Sequence, residues 1–153
     1  MPQYATNTSV PVEKSKAEIE RLLQRYGASK FASGWDEHSA SIAFEIHGLR
    51  VRFNLPLPDR QDPKFRRHSR GVRTPESAHK AWEQACRQRW RALALAIKAK
   101  LEAVECGITT FEQEFLAHIV LPNGTTVGNW MVPQLEEAYS NGSMPPLLPA
   151  GAS

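Results

Sequence analysis

Thr74–Gly107 reads TPESAHKAWEQACRQRWRALALAIKAKLEAVECG, and this stretch decides the fold. Thr74 is a good N-cap, Pro75 suits the first helical position, and Glu76 favours the positive end of the helix dipole. Gly107 supplies the left-handed residue that ends a helix, and no glycine or proline interrupts the interior. The stretch predicts one helix of roughly 45–50 Å at 1.5 Å rise per residue. At about 100° per residue, Trp82, Cys86, Trp90, Leu93, Ile97, Leu101 and Val104 share a stripe. Ala78, Ala81, Ala85, Ala92, Ala96, Ala99 and Ala103 form a second stripe beside it, so more than half the circumference is expected to be buried. Lys80, Arg87, Arg91 and Lys98 line up away from both as a basic ridge. Arg89 and Lys100 project between the apolar stripes. They either snorkel and pair with an acid or form an inward cationic pocket for an anion.

A helix of this kind needs a sheet to cover, and the sequence supplies one upstream. Lys30–Trp35 reads as a strand, turned by the polar run Asp36-Glu37-His38. Ala40, Ile42, Phe44 and Ile46 alternate on the next strand, and Leu49, Val51, Phe53 and Leu55 on a third. A two-residue turn at His47-Gly48 sets Ile46 opposite Leu49, Phe44 opposite Val51 and Ile42 opposite Phe53. The same register places Glu45 opposite Arg50 and Ala43 opposite Arg52 on the outer face. Apolar then meets apolar and the one acid meets a base, which supports the register.

Before the strands, residues 1–11 read as a flexible arm and Val12–Tyr26 as an amphipathic helix ended by Gly27. After the long helix, Thr109 or Thr110 is expected to cap a short helix to His118, with Phe111, Phe115 and Leu116 inward. A small hairpin turns at Pro122-Asn123-Gly124, and Asn129 caps a last helix, Trp130–Tyr139. The expected fold is α+β: a single domain over residues 12–141, with residues 142–153 as a proline-rich tail.

Charge is segregated along the chain. Residues 1–49 carry a net of −1, residues 50–100 a net of +10, and residues 101–153 a net of −6 with no Lys or Arg. Such asymmetry marks an electrostatic surface. Its focus is the loop 56–73, PLPDRQDPKFRRHSRGVR, which has no periodicity and so is expected to order on a nucleic-acid backbone. The nucleic-acid-binding residues expected are Arg50, Arg52, Lys64, Phe65, Arg66, Arg67, Arg70, Arg73, Lys80, Arg87, Arg91 and Lys98. Phe65 is the stacking candidate.

The catalytic inventory is thin. No phosphate-cradling glycine loop and no zinc-type cysteine spacing occurs. Glu114 and His118 sit four apart but read as structural, and Cys86 falls on the buried stripe. Neither cofactor nor metal is expected, and the chain does not read as an enzyme. No apolar run approaches eighteen residues, and the polar start MPQYATNTSV is no signal peptide. Cys86 and Cys106 lie about 30 Å apart on one helix and cannot bridge, which suits a reducing cytoplasm.

The runs AWEQACRQRWRALALAIKAKLEAVECGITTFEQEFLAHIVLPNGTTVG (residues 81–128), VEKSKAEIERLLQRYGA (residues 12–28) and MPPLLP (residues 144–149) resemble a family of small proteins encoded by tailed phages and prophages. The resemblance spans nearly the whole chain. It implies a phage product acting in the bacterial host cytoplasm, and it carries over no catalytic or binding residue. The order helix, three strands, basic loop, long helix is also similar to the core of some single-strand annealing proteins. Three functions follow as expectations. The first is DNA binding in phage DNA metabolism, with a homo-oligomer formed by acidic and basic thirds of neighbours. The second is antagonism of host defence, by binding a host protein or trapping a nucleotide on Arg89 and Lys100. The third is an assembly factor that docks a partner on the alanine stripe and tail.

Overall fold

The computed structural model describes Ala5, residues 8–68 and residues 70–144. Helix α1 (Val12–Arg25) is followed by strands β1 (Lys30–Trp35), β2 (Ser39–Ile46) and β3 (Leu49–Pro56). These pair antiparallel in the order β1-β2-β3. The β2–β3 register is Ile46 with Leu49, Phe44 with Val51, Ile42 with Phe53 and Glu45 with Arg50, as the alternation predicts. His47 and Gly48 turn the hairpin at φ 53° and 77°, the left-handed pair that a two-residue turn requires.

The chain then forms a 3-10 turn (Pro63–Phe65), a small hairpin of β4 (Arg67–His68) and β5 (Gly71–Val72), and the long helix α2 (Pro75–Glu105). Helices α3 (Phe111–Phe115) and α4 (Val127–Asn141) complete it, with a second 3-10 turn, Leu116–His118, after α3. One face of the sheet receives α1, α2 and α3. Ile19 and Leu23 of α1, Trp90, Ile97 and Leu101 of α2, and Phe111 and Phe115 of α3 close on Ile42, Phe44, Val51 and Phe53. The Phe115 ring meets Phe44 and Phe53 edge-on, at 6.0 and 6.1 Å between centroids. On the other face Ser41, Ala43, Glu45, Arg50, Arg52 and Asn54 are not buried.

Several local expectations are corrected. The loop 56–73 is not structureless. Asp62 caps its 3-10 turn by accepting from Lys64 N at 3.0 Å, and Phe65 is driven into the interior at 6% exposure. The alanine stripe does not form a second buried face. The other helices reach α2 along the Trp90 stripe, so Ala92, Ala96 and Ala99 stay exposed and Ala94 is buried instead. Thr110 caps α3 in a reciprocal box with Gln113, but the tighter 3-10 turn that follows rotates Leu116 outward. Thr126, not Asn129, caps α4, because its hydroxyl accepts from Asn129 N at 3.2 Å.

The small hairpin is reduced to one bridge, Val120 with Thr126, and it hooks to the sheet edge where Val120 N donates to Arg50 O at 2.8 Å. Helix α4 buries none of its residues and packs mainly on the Leu116–His118 turn. The approach there is close, since a Cβ added at Gly128 would lie 2.9 Å from Ala117 O. The described part of the arm is fastened: Gln84 Nε2 on α2 donates to Thr8 O at 2.8 Å. Of the expected tail, residues 145–153 lie outside the described residues.

Candidate nucleic-acid interface

The basic residues picked out from the sequence do not act as one surface. Arg50 and Arg52 stand on the outer face of the sheet, where Glu45, their neighbour on β2, pairs with Lys30 at 3.5 Å. Arg91 is not part of a free ridge, because α1 lies beside it and supplies Glu18 as its ion-pair partner. Lys80 reaches Glu76 at 3.9 Å, and Lys98 is exposed about 24 Å along α2 from Trp82. Lys64 pairs with Asp62 at 3.7 Å and lies over the buried Phe65 ring. Arg67 is exposed on β4, and Arg70 stands in the turn that follows.

The pair Arg89 and Lys100 forms no shared pocket. Arg89 donates to Pro56 O at 2.8 Å, while Lys100 pairs with Glu114 at 3.4 Å. The eleven-residue step from one to the other spans about 16 Å of helix. The same ion pair occupies Glu114, the carboxylate half of the weighed metal pair. Its other half, His118, stacks on Phe53 at 4.0 Å. Burial, then the charge of Lys100, pushes the His118 imidazole below its ordinary range. Asp36 is the polar turn expected: it accepts from His38 N and Ser39 N, both at 2.8 Å, and these donors lower its carboxyl.

What the fold does assemble is a cleft where the N-terminal end of α1, the first half of α2, the end of β1 and the segment after β3 meet. It encloses about 1060 Å³ and is walled by Trp35, Trp82 and Trp90, with Lys16, Arg60 and Arg87 as its cations and Glu13 and Glu83 as its carboxylates. Trp90 is a core residue that shows one edge, with Lys16 Nζ 4.9 Å from its ring centre. Trp82 is fixed by its indole N–H, which donates to Pro58 O at 2.7 Å. The Arg60 guanidinium lies over the Trp82 ring at 4.1 Å, and His79 is stacked on it at 5.7 Å. Trp35 is different. It is 76% exposed, on the same face of the sheet as buried Ala40, its partner across the strands. Cys86 also lines the cleft, and burial raises its thiol, which keeps it protonated.

Arg60 and Trp82 are a shared wall. Beyond them is a smaller, more enclosed cavity of about 440 Å³, lined by Arg60, Arg66, Arg73 and His79 together with Gln61, Val72, Pro75 and Ala78. Among the described residues no carboxylate lines it. Arg66 and Arg73, expected from the sequence, are thus brought to the smaller cavity and Arg87 to the adjoining cleft. The sequence pattern does not single out Trp35, Trp82, Lys16 or His79 for this site, and it shows Arg60 only as loop charge. The available signal was the parity of β1, which sets Trp35 beside Ala40 on the core side of a strand too near the edge to be covered.

Among the described residues, no group of three His, Cys, Asp or Glu is placed to hold a metal ion, and no helix is long and apolar enough to cross a membrane. Comparison with protein-family models, curated proteins and solved structures returns no match.

Proposed function

We propose that this chain binds single-stranded nucleic acid, DNA in the phage setting that the resemblance implies, along the groove from Trp35 to Arg73. The observation that carries the reading is an exposed indole at the mouth of a tryptophan-walled cleft that shares Arg60 and Trp82 with an adjacent arginine cavity. Bases present flat faces that stack on aromatic rings whatever their sequence, and arginines take the phosphates between them. A duplex keeps its bases stacked inside and offers nothing to Trp35. The role is one of binding, with no catalytic group, cofactor or metal assigned.

Fluorescence anisotropy on matched single-stranded and duplex oligonucleotides across a salt series tests this. Single strands should bind more tightly, and log K should fall with log[salt] by about 0.7 per phosphate contacted. Equal affinity for duplex, or no binding at low salt, would overturn it.

A second reading, capture of a free nucleotide in antagonism of host defence, is favoured by the enclosure of the arginine cavity. It moves from Arg89 and Lys100 to Arg60, Arg66 and Arg73. Titration with mononucleotides separates the two.

A further inference from the structure

We infer that the cavity of Arg60, Arg66, Arg73 and His79 is a site for a phosphate monoester: the phosphorylated end of a strand, or the phosphate of a free mononucleotide. This rests on the groove reading and adds a ligand class to one end of it.

Three observations converge. First, the charge is concentrated and uncompensated. Among the described residues no carboxylate pairs with Arg60, Arg66 or Arg73: Glu83 is taken by His79 at 2.8 Å and Asp62 by Lys64 at 3.7 Å, while Asp59 accepts from Gln61 N at 2.9 Å. Second, the fold forces two of these charges together. The β4–β5 register sets Arg67 opposite Val72, and Arg73 N donates to Arg66 O at 2.7 Å just outside it. Arg66 and Arg73 are therefore cross-strand neighbours of like charge, an unfavourable arrangement that an anion between them would relieve. Third, two of the guanidiniums are held in place. Arg60 is stacked on Trp82, and Arg66 donates to the Gln61 side-chain oxygen.

The ligand follows from stoichiometry of charge and acceptors. An internal phosphodiester carries one charge, two free oxygens and two ester links that must both leave the cavity. A monoester carries about −1.5 to −2 at pH 7 and three free oxygens. Three guanidiniums, each able to give paired N–H donors, match the second. Only one ester link then needs an exit, and Arg60 and Trp82, which line both cavities, set the aromatic cleft beside it, where the attached nucleoside would stack.

The test compares one single-stranded oligonucleotide in three forms: unphosphorylated, 5′-phosphorylated and 3′-phosphorylated. Deoxyadenosine 5′-monophosphate is titrated against deoxyadenosine by calorimetry alongside. A terminal phosphate at one end should tighten binding by about tenfold, the worth of one added charge-assisted contact. Arg66→Gln with Arg73→Gln should equalise the three forms. Binding of the mononucleotide but of no oligonucleotide would keep the monoester site and remove the strand. Salt-dependent strand binding indifferent to the terminal phosphate would overturn the monoester site and leave the strand. Failure of every ligand would remove both.

Discussion

Replacing Trp35 with alanine separates binding from folding. The ring is 76% exposed, so folding removes only a quarter of its surface from water. For an aromatic side chain of roughly 250 Å² that is about 60 Å², or about 1.5 kcal/mol as an upper bound. A domain of this size would lose about 3–6 °C in Tm at that limit. Trp90, at 3% exposure, gives the contrast: its truncation should cost about 3–5 kcal/mol. In binding the ranking reverses. Stacking of one base is worth about 1–3 kcal/mol, so Trp35→Ala should raise Kd for a single strand about five- to 150-fold. Trp35→Phe keeps a ring and should recover much of the loss. The assays are urea unfolding and fluorescence anisotropy on the same preparations. An unchanged Kd for Trp35→Ala, with the fold intact, would refute the claim that this indole is a stacking platform.

Other outcomes follow from the packing. Phe115→Ala removes a fully buried ring that bridges Phe44 and Phe53, and should lower stability by about 3–5 kcal/mol in denaturant titration. Phe65→Leu keeps apolar volume in the core and should leave single-strand affinity unchanged, whereas a base-stacking Phe65 would lose it. Burial, then the charge of Lys100, depresses the His118 imidazole below its ordinary range in the fold. The unfolded chain therefore binds its proton first as pH falls. The stability contributed by His118 is complete above the ordinary histidine range and declines as pH drops through it toward the folded value. Urea midpoints at pH 7.5 and 5.5 should differ more for the parent protein than for His118→Gln.

The parts of the fold that were legible were those set by short-range periodicity. The β2–β3 register could be read because a one-residue slip would turn Phe44 and Val51 to solvent, and because His47-Gly48 allows the left-handed turn. The long helix was legible from Thr74 and Gly107 at its ends. What could not be read depended on which elements reach one another. Phe65 is one apolar residue among arginines, and its burial follows only once the Asp62 turn is laid against α2. Ala92, Ala96 and Ala99 have the spacing of a packed face, but spacing cannot say that no helix arrives. Arg91 read as free ridge because its partner, Glu18, is seventy-three residues away in the chain. The cleft is harder still. Trp82 belongs by spacing to the core stripe, and only the path of Pro58 and Arg60 across it turns part of that stripe into a cleft wall.

Helix α4 sets the protein's response on a different scale. Thr126 caps it and Gly142, at φ 66°, ends it, yet it buries no residue and leans on a single tight turn. Its amides are protected mainly by that contact and by the helix's own hydrogen bonds, not by the interior that locks Ile97 and Leu101. Opening there costs far less than global unfolding, so residues 127–141 should exchange their amide hydrogens orders of magnitude faster than the middle of α2. The lifetime of the domain and the lifetime of its last helix are then separate quantities. A protease that removed residues from α4 onward would sample the second and leave the groove standing.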